Sequence, residues 1–421
     1  MDFESWWLIF LPLLFALGWM AARFDFRHML SESRNLPDSY FKGLNFLLNE
    51  EPDRAIDAFV EVAKLDSETT ELHFALGSLF RRRGEMERAI RVHQSLLSRA
   101  DLPVKQREHA QHEIAQDYLK AGMLDRAEEA FATLKDTSFA LPSLRALIRI
   151  YESSHDWPKA IEAVKGLGKL VDEPVPQLVH YHCELAQAAL SAKPPALDRA
   201  EKSLQDAASA AEISGAKVGS AAYARIEMLA AMLCVARSDA VGQRERLLAV
   251  LKQSPEFAGL VGQALMDNYV AAGMSEEGLG ILRAHQAAYP SLDLFNIVFR
   301  ELRSQQGVEA AWTFARESLQ RHPSLLGLDR LLEAELSPPK DRAATAADAT
   351  PSSTATFEAP QPGVLAGSDL ELLRRLIHRH TQRLDRYECR QCGFQARRFY
   401  WQCPGCNAWE TYQPRRLEEL Q

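Results

Sequence analysis

Between Pro37 and Leu336 the chain repeats itself, and this repetition limits its fold more than any other feature. A small or aliphatic residue is followed three positions on by an aromatic, twelve on by Ala, and sixteen on by Phe or another bulky residue. Gly43, Phe46, Ala55 and Phe59 form the first copy, and Gly77, Phe80, Ala89 and His93 the second. Ala115, Tyr118, Ala127 and Phe131 form the third, and Ile148, Tyr151, Ala160 and Val164 the fourth. The alanines stand 34, 38 and 33 residues apart, then 40 to Ala200, where Pro194 and Pro195 mark an insertion. Spacings of three and four place residues on one helical face, and no period-two strand pattern competes. Glycines at 84, 122, 273 and 307 punctuate the copies. Beyond residue 205 the match weakens: Tyr269, Gly273 and Leu282 keep the register, but Gly278 stands where Ala is expected. Six to nine copies are expected. An array of this kind escapes the size limit of a single core, so 421 residues with 47% hydrophobic content are accommodated.

The pattern resembles the tetratricopeptide repeat, whose period is about 34 residues. The resemblance implies an all-α solenoid of antiparallel helix pairs over residues 37–336, with small residues letting the helices approach closely. Stacked first helices then form an extended surface suited to a protein or peptide rather than a small substrate. The repeat register nominates Arg81, His112, Gln116 and Lys120 as groove-facing partner contacts.

Ahead of the repeats, Ser5 to Ala22 is an uncharged run of eighteen residues that includes Trp6, Trp7, Leu8, Phe10, Leu14 and Trp19. As a helix it reaches about 27 Å, close to the hydrocarbon thickness, with tryptophans where interfacial belts prefer to lie. A secretory signal needs a basic leading segment, whereas Asp2 and Glu4 precede this run. Residues 1–24 are therefore read as a single-pass membrane anchor. Arg23 and Arg27 behind it place the C-terminal bulk in the cytoplasm.

After Leu336 the composition changes. Residues 337–367, rich in Pro, Ala, Thr and Ser, read as a flexible linker. Residues 368–386 read as a basic amphipathic helix with Leu372, Leu373, Leu376 and Ile377 on one side and arginines around them. The net charge of −8 conceals −11 over residues 1–368 and +3 over residues 369–421. Docking of the basic tail on the acidic repeats is one expectation, and a face for lipid headgroups or nucleic acid is its rival. The overall charge excludes nucleic-acid binding by the whole surface.

Residues 387–421 carry the most specific chemistry. Cys389 and Cys392, then Cys403 and Cys406, form two CxxC pairs separated by ten residues, so two turns can offer four thiolates to one tetrahedral ion. Gly393 and Asn407 follow the pairs and tolerate positive φ, which lets backbone N–H groups turn toward sulfur. Both zinc and iron suit four thiolates. The shell has no open position, so a structural role is expected over hydrolysis. Tyr387, Phe394, Phe399, Tyr400, Trp401 and Trp409 are expected to form an aromatic core. Cys183 and Cys234 stand alone and are expected to be buried packing residues. Neither a GxxxxGK[ST] nor a GxSxG motif occurs, and His112-Glu113 lacks a second histidine at the spacing a zinc protease needs. The reading is of a protein that is not an enzyme, with no catalytic residue.

Anchor, repeats and metal module together resemble the lipopolysaccharide assembly protein B family of Gram-negative bacteria. The sharpest part is Tyr387-x-Cys389-Arg-x-Cys392-Gly-Phe394 with Tyr400-Trp401-x-Cys403-Pro-x-Cys406-x-Ala408-Trp409, and the departure is the long linker. The two knuckles are similar to those of rubredoxins, which favours iron. The resemblance implies a bacterial inner-membrane adaptor. It would regulate lipopolysaccharide synthesis by promoting proteolysis of the lipid A committing deacetylase by a membrane AAA+ metalloprotease, would help organise envelope-synthesis proteins, and would answer to a lipopolysaccharide-sensing membrane protein. It carries over Cys389, Cys392, Cys403 and Cys406 as metal ligands. No nucleic-acid partner is expected, and homo-oligomerisation is compatible with the sequence. The alternatives are a rubredoxin-like electron carrier and a nucleic-acid-binding zinc ribbon, each on a repeat scaffold.

Overall fold

The computed structural model describes residues 15, 16, 19, 38–49, 51–65, 70–171, 175–336 and 367–420. The expected linker up to residue 366 and the anchor residues Trp6, Trp7, Leu8, Phe10 and Leu14 lie outside these. Phe15 and Trp19 are helical and exposed. Among the described residues no helix is long and apolar enough to cross a membrane.

Among the described residues eight helix pairs follow one another: α1 (Asp38–Leu48) with α2 (Pro52–Leu65), α3 (Thr70–Arg83) with α4 (Met86–Leu97), and α5 (Val104–Lys120) with α6 (Leu124–Ala132). Then come α7 (Ala140–Ser154) with α8 (Trp157–Gly168), α9 (Gln177–Ser191) with α10 (Leu197–Ile213), and α11 (Ala221–Ala236) with α12 (Ala240–Gln253). The last are α13 (Ala258–Ala271) with α14 (Ser275–Ala288) and α15 (Leu292–Gln305) with α16 (Val308–Arg321). A further helix, α17 (Leu325–Leu336), packs against α18 (Gly367–Leu384). The chain forms two compact units, Met1–Ile150 and Tyr151–Gln421, divided within α7.

In the first unit the repeat positions are packing positions. Ala55, Phe59, Leu72, Phe80 and Ala89 share one core. A Cβ on Gly43 would lie 2.7 Å from the Phe59 ring, and one on Gly77 would lie 2.4 Å from His93. Only glycine permits these approaches. His93 takes the place that Phe59 and Phe131 hold in neighbouring copies, and its Nδ1 lies 2.6 Å from Asp117 Oδ2. Arg81 reaches the same carboxylate at 2.8 Å and Glu113 at 2.6 Å, so this substitution is matched by a charged network in the core.

The second unit continues the pattern in less regular sequence. Gly278 is not a weakened alanine position: a Cβ there would meet the Tyr269 ring at 2.7 Å, so the larger aromatic has displaced the methyl. In five of the pairs the turn keeps one form even where its sequence differs. The N–H after the left-handed residue bonds the carbonyl of Phe80, Tyr118, Tyr151, Cys234 or Tyr269, each at 2.9 Å. Gly84, Gly122 and Gly273 supply positive φ at three of these turns, but His155 (φ 57°) and Ser238 (φ 60°) supply it at the others. The backbone bond outweighs a left-handed penalty of about 1–2 kcal/mol at those two residues.

Candidate metal centre

The four cysteines arrive on two turns with identical hydrogen bonding. In the first, Cys389 N–H bonds Phe394 O at 3.0 Å and Gly393 N–H bonds Cys389 O at 2.9 Å. In the second, Cys403 N–H bonds Ala408 O and Asn407 N–H bonds Cys403 O, both at 2.8 Å. Gly393 (φ 72°) and Asn407 (φ 58°) adopt the left-handed conformation that their residue types favour. A two-residue antiparallel pairing of β1 (Tyr387–Glu388) with β2 (Gln395–Ala396) carries the first turn. A bridge from Gln402 to Trp409 closes the second, and one from Cys389 to Tyr412 joins the two.

The sulfurs lie 3.8 Å apart for Cys389 and Cys406 and 3.6 Å apart for Cys392 and Cys403, and all four ligand atoms fall within 4.8 Å of one another. A tetrahedral ion with metal–sulfur bonds of about 2.3 Å sets its sulfurs roughly 3.8 Å apart. These distances match that edge and are far longer than a disulfide of about 2.05 Å. Burial works against ionising Cys389, but Thr411 and the backbone N–H groups of Cys392 and Gln391 outweigh it and bring this thiol down to about 6. Cys406, despite the N–H of Ala408, is pushed up to about 12 by desolvation and its sulfur neighbours. One thiolate thus holds off the next until a cation joins them, which is the behaviour of a metal-binding set.

Around the sulfurs, Tyr387, Cys389, Cys403 and Tyr412 form the buried centre of the module, with Phe399 packed against it. The expected aromatic core is only partly realised. Phe394 and Tyr400 are exposed, and Trp401 and Trp409 turn outward onto the repeats. The hairpins are too small to enclose six rings, and the sulfur cluster occupies their centre. Tyr412, whose hydroxyl donates to Phe394 O at 3.1 Å, is the core aromatic that the motifs do not reveal.

The module is seated on the first helix of every pair from α7 through α15, or on the turn before it, and on α17. Trp409 stacks on His180 with ring centroids 4.9 Å apart and planes 4° from parallel, and its Nε1 donates to Glu152 at 2.9 Å. Trp401 stacks on Phe257 at 5.6 Å. Between these contacts lies Arg225, 2% exposed, with its guanidinium 5.5 Å from the Trp401 ring and 5.6 Å from the Trp409 ring. It is paired with Glu184 and lies 3.2 Å from His180 Nδ1. Further along, Asp293 accepts from Tyr387 OH at 2.5 Å and from Arg416 at 2.7 Å. Finally, the short helix Leu417–Leu420 offers two carboxylates to helix N-termini. Glu419 accepts from Leu292 N–H at 3.0 Å, and Glu418 from Leu325 N–H and, at 3.1 Å, Leu326 N–H. These satisfy donors that the first turns of α15 and α17 cannot satisfy themselves, and the negative charge meets the positive end of each helix dipole.

Burial pushes the His180 imidazole below its ordinary range, against the pull of Glu410 at 2.8 Å. Arg225 facing Nδ1 fixes the neutral tautomer with the proton on Nε2, shared with Glu410. Because the folded value is lowered, the seat is fully stable above the ordinary histidine value of about 6.5 and weakens as pH falls below it. Hydrogen exchange at α9 and α11 is expected to rise between neutral pH and mildly acidic pH, and His180→Gln to remove that added slope.

The nominated groove residues all fall in the first unit. Arg81 is held by Asp117 and Glu113. His112 is half-buried and stacked on Phe139 at 4.8 Å, Gln116 is half-buried, and Lys120 is exposed. Of the two isolated cysteines, Cys183 is fully buried, with its thiol pushed up to about 12 by that burial, but Cys234 is only half-buried, near a helix end. The seat residues Arg225, His180, Asp293 and Glu152 carry no motif. The one available signal is Arg225 as the lone cation of a mostly apolar helix, Ala221–Ala236, whose other charge is Glu227.

A family model described as a rubredoxin metal binding domain matches residues 387–414, and one described as a tetratricopeptide repeat matches residues 72–108. Lipopolysaccharide assembly protein B of Escherichia coli (strain K12) is 31% identical over 409 residues, covering 96% of this chain and 97% of its own. The protein of that name from Haemophilus influenzae (strain ATCC 51907 / DSM 11121 / KW20 / Rd) is 26% identical over 419 residues, with the same coverage of 96% and 97%. Likeness at this level runs through repeats and metal module alike, and the chain belongs to the lipopolysaccharide assembly protein B family.

Proposed function

We propose that this protein is a membrane-tethered adaptor that regulates lipopolysaccharide synthesis. In this reading Ser5 to Ala22 is a single-pass anchor in the bacterial inner membrane and the repeats lie in the cytoplasm. They bring the deacetylase that commits precursors to lipid A to a membrane AAA+ metalloprotease, and a lipopolysaccharide-sensing membrane protein adjusts that activity. The observation that carries the reading is the family likeness across 96% of the chain, which spans both the repeats and the metal module. Cys389, Cys392, Cys403 and Cys406 would hold one zinc or iron ion. With four thiolates the shell is closed to water, so the ion would supply folding free energy rather than hydrolytic chemistry.

Division of the repeats supports an adaptor. In the second unit the first-helix face is occupied by the chain's own module. Arg81, His112, Gln116 and Lys120 belong to the other unit and are proposed as partner contacts. Confinement at the membrane raises the effective concentration of adaptor beside a membrane protease without any new contact. Deleting residues 1–24 is expected to leave the repeats folded while the deacetylase accumulates in cells by several-fold, read by immunoblot. Normal deacetylase levels with the untethered chain would overturn the tethering argument.

A further inference from the structure

Helix α18 has two faces, and among the described residues only one of them is packed against the rest of the chain. Leu370, Arg374, Ile377 and Thr381 form the stripe toward α17, where Arg374 and His378 approach Asp329 and Thr381 is 1% exposed. The sequence pattern groups Ile377 with Leu372, Leu373 and Leu376, but the helix separates them. Ile377 turns inward and the three leucines turn outward, 60%, 42% and 50% exposed. Leu372, Leu376, Arg379 and Arg383 follow one another at spacings of four, three and four, which is a single outward stripe. Arg375 and His380 flank it, both exposed.

We propose that this outward face of α18 lies on an anionic lipid bilayer. Leucines at the centre of a face bordered by arginines suit the headgroup boundary, where the apolar side chains enter and the arginines extend to phosphate. Charge complementarity selects the partner. Arg379, His380 and Arg383 border the leucines, beside an Arg375–Glu371 pair at 2.6 Å that neutralises itself. A nucleic acid would match the arginines but leave Leu372 and Leu376 in water. The helix would give the second unit its own contact with the membrane and orient the seated module beneath it. This goes beyond the adaptor reading and does not rest on the N-terminal anchor, because the helix carries its own apolar and cationic groups.

The test uses the full chain mixed with vesicles of phosphatidylcholine alone, or with part of it replaced by phosphatidylglycerol. Each preparation carries a trace of photoactivatable phospholipid, and crosslinked peptides are mapped by mass spectrometry. Crosslinks within residues 367–384 are expected with the anionic vesicles and at least about ten-fold fewer with phosphatidylcholine. Leu372→Ser/Leu376→Ser, and separately Arg375→Glu/Arg379→Glu/Arg383→Glu, should each abolish the anionic-lipid crosslinks while metal content and circular dichroism stay unchanged. Equal crosslinking with both lipids, or none, would overturn the proposal, as would protection of this helix that rises with protein concentration in the absence of lipid. Co-sedimentation with vesicles of both compositions reports the anchor separately, so the two readings fail independently.

Discussion

Replacing Cys389 and Cys392 together by Ser is expected to abolish metal binding and unfold residues 387–414. The module has two hairpin turns, one two-stranded pairing and a buried centre of Tyr387, Cys389, Cys403 and Tyr412, two of which belong to the candidate metal-binding set. A centre that small cannot supply the folding free energy of an ordinary domain, whereas a structural four-coordinate ion contributes about 10–16 kcal/mol. Metal per chain should fall to background, and amide exchange across 387–414 should approach unfolded rates. Trp401 and Trp409 fluorescence should shift to the red as the indoles leave Phe257 and His180. Native exchange with background metal would show that packing alone holds the module.

Trp409→Ala is expected to do the opposite: retain the ion and release the seat. Trp409 touches His180, Trp157, Tyr181 and Glu152 on the repeats, and the neighbouring Ala408 carbonyl serves the cysteine turn. Truncating a packed aromatic to Ala costs about 3–5 kcal/mol. Here the loss also strips one aromatic face from the Arg225 guanidinium and one donor from Glu152. Metal content should remain at one per chain while exchange rises at Gln177–Ser191 and Ala221–Ala236. Phe394→Ala is the matching control: that ring is 42% exposed, and its loss should change neither quantity. Loss of metal from Trp409→Ala would mean that seating, not the thiolates, holds the ion.

The solenoid and the gathering of the four cysteines were legible because each repeats a local rule. Glycine or alanine where helices touch, aromatics three positions on, and paired CxxC turns with Gly393 and Asn407 behind them all express constraints within a few residues. His155 and Ser238 at the left-handed turn position were not legible, since there the backbone bond overrides residue preference. Gly278 read as a defect because its reason, the Tyr269 ring, lies in the preceding helix. The seat was legible only as a charge difference between tail and repeats. Its actual composition is two tryptophans stacked over a buried arginine, an aspartate shared by Tyr387 and Arg416, and two glutamates on helix N-termini. These pairs are separated by 92 to 257 residues along the chain, and no local pattern records such partners.

One ion is expected to hold the module, and the module in turn to hold the face of the second unit. Removing metal from the intact native chain with a chelator, then comparing amide exchange before and after, tests it most directly. Faster exchange is expected across 387–414 together with faster exchange at Gln177–Ser191 and Ala221–Ala236, both reversed when zinc or iron is restored. Complete metal removal that leaves the two repeat helices unchanged would contradict it.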